Sequence, residues 1–139
     1  MDDRLLFLMS KAAHTLKNYL KKEFSSGGIN ISPAQMGILF ALKQKNGLPM
    51  NLLSKIISID NAAITRHVDI LEREGMVIRE ADEKDRRKYI ICITAKGIAE
   101  ADKCRRIARR VNDTIKEGFR DDEVEVFKKV LNSFFNKFG

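Results

Sequence analysis

The stretch from Ile59 to Thr94 constrains this chain most, because it reads as a short two-faced helix followed by a two-stranded hairpin with a basic tip. Asp60 is placed to cap the helix through its side-chain oxygen, and Ile64, Val68 and Leu71 recur at i, i+4 and i+7 as a buried stripe. Gly75 supplies the residue on which helices commonly end, which bounds the helix at 60–75. At ~100° per residue the opposite face carries Asn61, Ala62, Thr65, Arg66 and Asp69, short side chains with one long cation near the N-terminal end. Such a face allows close approach. Base edges in a DNA major groove demand it, since they lie deep and are reached mainly from the first turns of a docked helix. The plainer reading is the wet side of an ordinary surface helix.

The segment beyond Gly75 favours the first reading. Met76 to Glu80 alternates in hydrophobicity, Asp82 to Lys88 is a charged turn, and Tyr89 to Ile93 is β-branched and aromatic enough to be the partner strand. Between Lys84 and Lys88 every residue but Asp85 is a cation: Lys84, Arg86, Arg87 and Lys88. In an extended segment Asp85 and Arg87 share one side, so the carboxylate is expected to hold the guanidinium in a single pose. A preoriented arginine on a protruding loop suits a narrow minor groove, where negative potential is strongest.

The run Ile64-Thr65-Arg66-His67-Val68-Asp69-Ile70-Leu71-Glu72-Arg73-Glu74-Gly75-Met76-Val77, followed by Asp85-Arg86-Arg87-Lys88 and Tyr89 to Gly97, resembles the MarR family of bacterial winged-helix transcription regulators. The similarity lies in "TR-x-x-D-x-L-E-x-x-G-hydrophobic" and then "D-R-R, hydrophobic strand, T-x-x-G", and the order of the flanking elements extends it over essentially the whole chain. The resemblance implies a homodimer on a pseudo-palindromic operator, with the Asn61 to Arg66 face in the major groove and a wing arginine in the minor groove. Arg87, seven residues before Thr94, is the position that the wing pattern assigns to that arginine, with Arg86 in reserve.

The expected fold is mainly α with a small β-hairpin wing (α+β). A winged helix-turn-helix DNA-binding region spans 32–94, and helical segments 1–31 and 95–139 form a dimerisation region within one compact chain. With 139 residues, 44% of them hydrophobic, the chain has the apolar content for a core. Its formal charge of +7 favours an acidic partner without choosing between nucleic acid and anionic membrane. The charge is local: residues 32–94 carry ten Lys/Arg against eight Asp/Glu, and 95–118 carry seven against four. That distribution favours shaped recognition over non-specific condensation. No apolar run approaches the roughly 18 residues of a membrane span, and the start Met1-Asp2-Asp3-Arg4 is acidic where a signal peptide would be basic. Cys92 and Cys104 match neither a disulfide framework nor a zinc site. A cytoplasmic protein is the simplest expectation.

Residues 4–24 place Leu5, Leu8, Met9, Ala12, Leu16, Tyr19, Leu20 and Phe24 on one helical stripe, which must pack on something. Ser25-Ser26-Gly27-Gly28 breaks that helix, and Ser32-Pro33 starts the next in the N-cap and first-position order, with Met36 to Leu42 broadly apolar and therefore expected at the centre. Asn46-Gly47 ends it. Asn51 is expected to cap a third helix whose Leu53, Ile56 and Ile57 face inward, and Ser58-Ile59-Asp60 then turns into the two-faced helix without the glycine often found there. Thr94 caps a long helix running to about Gly118, with Ile98, Ala101, Ile107, Ala108, Val111 and Ile115 along one side and Arg105, Arg106, Arg109 and Arg110 flanking it. The last helix, Asp121 to Phe138, carries Val124, Phe127, Leu131, Phe134, Phe135 and Phe138 close to every 3.5 residues, behind the acidic start Asp121-Asp122-Glu123. Four phenylalanines there exceed what a monomer exposes. With Leu5 and Leu8 of the first helix they read as a dimer interface, whose two-fold axis would set the reading helices about one DNA turn (~34 Å) apart.

No catalytic constellation assembles. His14 and His67 lie on different helices without a nucleophile beside either, and there is no phosphate-cradling glycine loop and no paired His or Cys ligand motif. No cofactor or metal is expected. The resemblance implies a small aromatic or phenolic effector that releases DNA; His14 is a candidate for a pocket between the first helix and the winged unit, and the effector contacts stay unassigned. The oxidation-sensing cysteine that some relatives carry on the first helix is missing here, and Cys104 is a weak substitute. A second class of function stays open: a winged-helix module for protein association, with Asp69, Glu72 and Glu74 adding negative charge to the two-faced helix.

Overall fold

The computed structural model describes residues 4 to 139; the acidic start Met1-Asp2-Asp3 lies outside the described residues. The elements run α1 (Leu5–Ser26), α2 (Pro33–Gln44), β1 (Leu48–Pro49), α3 (Met50–Ile57), α4 (Asn61–Arg73), β2 (Val77–Ala81), β3 (Tyr89–Ile93), α5 (Ala95–Lys116) and α6 (Asp121–Phe138). They form two compact units, Met1–Arg105 and Arg106–Gly139. The mainly helical fold with a small antiparallel wing is as expected from the sequence.

In the first unit α2 lies at the centre, as its broad apolar surface demands: Ile38, Leu39 and Leu42 are fully buried. Ser32 caps it with a reciprocal pair of bonds, its Oγ accepting from the Gln35 N–H and the Gln35 Oε1 accepting from the Ser32 N–H. Leu53 of α3, Ile64, Val68 and Leu71 of α4, Val77 of β2 and Ile91 of β3 complete a core without solvent exposure.

Two details of α3 differ from expectation. Pro49, not Asn51, occupies its N-cap, because Leu48 and Pro49 form a short strand that delivers the chain directly into the helix. Ile56 is exposed, since an eight-residue helix over this core buries only the narrow side on which Leu53 lies. The turn to α4 needs a left-handed residue and uses Ser58, at φ 60°, in place of glycine; the Ser54 hydroxyl donates to the Ile59 carbonyl and steadies it.

The sheet has three strands in the order β1-β3-β2, where the sequence promised a two-stranded hairpin. β1 pairs Leu48 with Ile91 and Pro49 with Ile90, and a two-residue edge strand ending in proline carries no periodicity by which sequence could announce it. β2 and β3 pair from Val77–Ile93 to Ala81–Tyr89. This register puts Val77, Arg79 and Ile91 on one face of the sheet and Ile78, Glu80 and Cys92 on the other.

The T-x-x-G segment forms a clasp. Thr94 N–H donates to the Met76 carbonyl at 3.0 Å, the Thr94 hydroxyl donates to the Gly75 carbonyl at 2.6 Å, and the same oxygen accepts from the Gly97 N–H at 3.1 Å. Lys96 Nζ donates to the Glu74 carbonyl at 2.6 Å. Thus the cap of α5 also satisfies the C-terminal end of α4. A β-carbon on Gly97 would stand 2.2 Å from the Met76 oxygen and 2.7 Å from Ile93 Cγ1.

α1 is anchored at its end by Phe24, its one buried residue among those described, while Leu5 and Leu8 are exposed. The second unit comprises the end of α5 and all of α6, joined through Gly118 at φ 84°. No residue of α6 is buried: Phe127, Leu131, Phe135 and Phe138 are exposed, Val124 and Phe134 half-buried, and Phe134 meets Phe138 edge to face at 5.7 Å.

Gly97→Ala should lower unfolding stability by about 1–3 kcal/mol through this clash with backbone, read as a shift of the urea midpoint with unchanged slope. A midpoint equal to that of the parent would contradict the clasp geometry.

Candidate nucleic-acid interface

α4 is built to show one face. Asp60 caps it, its Oδ1 accepting from the Ala63 N–H at 2.7 Å, and the Ile64, Val68 and Leu71 stripe is buried completely. Asn61, Ala62, Thr65, Arg66 and Asp69 are therefore all exposed. Within that face Thr65 donates its hydroxyl proton to the Asn61 carbonyl at 2.8 Å, which leaves its oxygen free to accept. His67, beside Arg66, is tied instead to the core side of the unit: Gln35 Nε2 lies 3.2 Å from its Nδ1. Because Gln35 Oε1 already accepts from a backbone N–H, the amide nitrogen is the donor and Nδ1 the acceptor.

The wing tip is ordered by its two aspartates, by a route different from the one that side-chain alternation indicates. Residues 85–88 turn rather than extend, with Lys88 N–H donating to the Asp85 carbonyl at 2.9 Å. Asp82 Oδ1 accepts from the Lys84 N–H at 3.0 Å, and Asp85 Oδ1 accepts from the Arg87 N–H at 3.1 Å. Asp85 thus fixes the backbone of Arg87 first; its carboxylate lies 3.7 Å from Arg87 Nε, close enough to bias a side chain that is otherwise 96% exposed. Lys84, Arg86, Arg87 and Lys88 all stand in solvent.

Sequence reasoning missed Arg79. It pairs with Asp69 of α4 and lies 3.8 Å from Glu72, so it joins the wing strand to the edge of the exposed α4 face. The signal was present: a cation two residues after Val77 in an alternating strand falls on the sheet's inner face, where a charge needs a partner.

Among the described residues no group of His, Cys, Asp and Glu is placed to hold a metal ion, and no helix is long and apolar enough to cross a membrane. His14 is exposed on α1 and lies beside Asn18, 3.2 Å from its side-chain nitrogen. Both cysteines are held as thiols. Burial, reinforced by the charge of Glu100, pushes Cys104 up to about 11; burial and then the neighbouring Glu80 raise Cys92 as well. Cys104 is a core residue of α5 with no solvent exposure, a place the sequence reading did not assign to it.

A three-helix core, a helix-turn-helix hinged on Ser58 and a β-wing define a winged helix-turn-helix protein. Residues 31–89 match the sequence profile of the MarR family. The HTH-type transcriptional regulator MhqR of Bacillus subtilis is 30% identical over 95 residues, covering 68% of this chain; the chain spans less than two thirds of the first curated relatives it matches, 64% of MhqR among them. A probable transcriptional regulator from Pseudomonas aeruginosa superposes with a TM-score of 0.85 at 26% identity, over 96% of this chain and 98% of that one. CouR, a transcriptional repressor solved on a 23-mer DNA duplex, shares the fold with a TM-score of 0.84 at 21% identity, over 94% of this chain and 91% of its own. In its profile and its fold the winged unit is similar to transcriptional regulators of the MarR family.

At pH 8 Cys104 should stay unreactive toward a thiol reagent in the folded protein and react fully in urea. The raised thiol also sets a pH dependence: the stability it contributes is complete below about pH 9 and is lost as pH rises toward 11, so a Cys104→Ala variant should show a flatter urea midpoint over that window. Rapid labelling of Cys104 in the native state would contradict its place in the core.

Proposed function

We propose that the chain is a cytoplasmic, dimeric transcription regulator, a repressor in preference to an activator. It reads a pseudo-palindromic duplex with α4 in the major groove and the 82–88 wing tip in the minor groove. The observation that carries this reading is the pairing of two exposed features on one unit. One is the Asn61, Ala62, Thr65 and Arg66 face of a helix locked by its buried opposite face; the other is the four-cation tip whose backbone is set by Asp82 and Asp85. Thr65 and Arg66 choose bases, Arg87 enters the minor groove, and Lys84, Arg86 and Lys88 attract phosphates. CouR, bound to DNA in its own structure, lends support as a protein of the same fold.

Residues 32–94 form the DNA-binding region, and segments 1–31 and 95–139 dimerise. Exposed apolar stripes support the dimer on each unit: Leu5 and Leu8 on α1, and Phe127, Leu131, Phe135 and Phe138 with the flanking Val124 and Phe134 on α6. Stripes of this extent are unfavourable in water and favour a second copy. Release by a small aromatic or phenolic effector completes the reading. A cleft of about 200 Å³ lined by Phe40, Lys43, Gln44 and Arg105 offers a ring and two cations to such an anion.

Arg87→Ala should weaken duplex binding by ~1–3 kcal/mol with an unchanged urea midpoint, while Thr65 and Arg66 substitutions relax sequence preference. Fluorescence anisotropy with duplexes from the chain's own upstream region measures both. Equal binding by Arg87→Ala and the parent would overturn the wing assignment, and a monomer in sedimentation at micromolar concentration would overturn the dimer.

A further inference from the structure

An acid on a DNA-reading face is a liability. Asp69 shares the exposed side of α4 with Asn61, Ala62, Thr65 and Arg66, and its carboxylate is half exposed; Glu72 lies one turn later and is 43% exposed. Phosphates drawn to within a Debye length, about 8–10 Å at ordinary salt, would be repelled by both. Arg79 is the cation placed to prevent this. Its partner in the sheet, Ile91, and its neighbour on the same face, Val77, are fully buried, so its side chain leaves the core edge directly beneath α4 instead of waving into solvent. One terminal nitrogen pairs with Asp69. Nε, buried and without a hydrogen-bond partner, has Glu72 Oε2 at 3.8 Å as its counter-charge.

We infer that Arg79 is a positioning residue for DNA binding that acts by partly masking Asp69 and Glu72, cancelling one of their two negative charges on the C-terminal half of the reading face, and does not itself touch phosphate. This rests on the DNA-binding reading above. It explains why a reading helix tolerates acids at positions 69 and 72, and it makes the wing strand part of the electrostatics of the major-groove element.

The test is a double-mutant cycle on the full chain: parent, Arg79→Gln, Asp69→Asn and the pair together, each checked for an unchanged fold by urea unfolding. Each is titrated by anisotropy into the preferred duplex and a scrambled one at several salt concentrations. Arg79→Gln should weaken binding to both duplexes by roughly tenfold, because an uncompensated carboxylate repels any phosphate backbone. Asp69→Asn alone should change binding less than threefold, and adding it to Arg79→Gln should recover most of the loss, with the slope of log K against log salt at the parent's value. Arg79→Lys, which keeps the cation, should bind within threefold of the parent.

Masking is overturned if the double variant stays as weak as Arg79→Gln. A slope reduced by about 0.9 would then assign Arg79 to a phosphate contact, and an unreduced slope would assign it to wing placement alone. Equal binding by all variants also overturns it. Failure of the underlying reading looks different: a parent that binds both duplexes alike removes sequence recognition while the masking cycle remains measurable on either.

Discussion

Thr94 is where α4 and the wing are joined. Its backbone donates to Met76, its hydroxyl donates to Gly75, and the same oxygen caps Gly97 at the start of α5, so the end of α4, the start of β2 and the start of α5 meet at one residue. Helix ends leave unsatisfied carbonyls and N–H groups that must find partners. Here the two deficits answer each other. Gly97 is the condition for that contact, since a β-carbon there would stand 2.2 Å from the Met76 oxygen. The angle at which the wing leaves α4 is set by this junction, and with it the spacing between the exposed Asn61 to Arg66 face and the cationic tip.

The electrostatics are built on that junction. The wing tip uses its acids inwardly, as acceptors for backbone N–H groups at Lys84 and Arg87, so that they order the loop while the cations face out. On α4 the acids face outward, and a cation from the neighbouring strand answers them. The modest net charge of the unit therefore conceals a strong segregation, and segregated charge on a fixed frame is better suited to shape recognition than a uniformly basic surface.

Most of this was legible in the sequence where one strong local rule applied. The Ile64, Val68 and Leu71 stripe, the Asp60 and Ser32 caps and the Tyr89–Ile93 strand all depend on residues within a few positions of each other, and each appears as expected. Readings failed where geometry came from elsewhere in the chain. β1 exists because β3 offers an edge to Leu48 and Pro49; Pro49 at that edge takes the cap expected of Asn51; and Ile56 is left outside because Leu53 already fills the available core. Asp85 and Arg87 do associate, but through a turn that alternation in an extended strand does not describe. Alternation with Val77 was enough to place Arg79 on the inner face of its strand, but its partners Asp69 and Glu72 come from α4 and only the fold brings them to it. The proposed assignments of Thr65, Arg66 and Arg87 to DNA, and of the α1 and α6 stripes to a partner copy, draw on exposure, side-chain chemistry and likeness to the MarR family, none of which is a local rule of the chain.

The most direct measurement is a titration of the protein into duplexes from its own upstream region and into scrambled duplexes of equal length and composition, at two salt concentrations. The expected result is one duplex bound tightly at both salts while the scrambled set falls away at the higher one, because base contacts survive screening that phosphate attraction does not. Binding that falls steeply and equally for every duplex would contradict sequence reading by α4 and leave protein association as the better account of the winged unit.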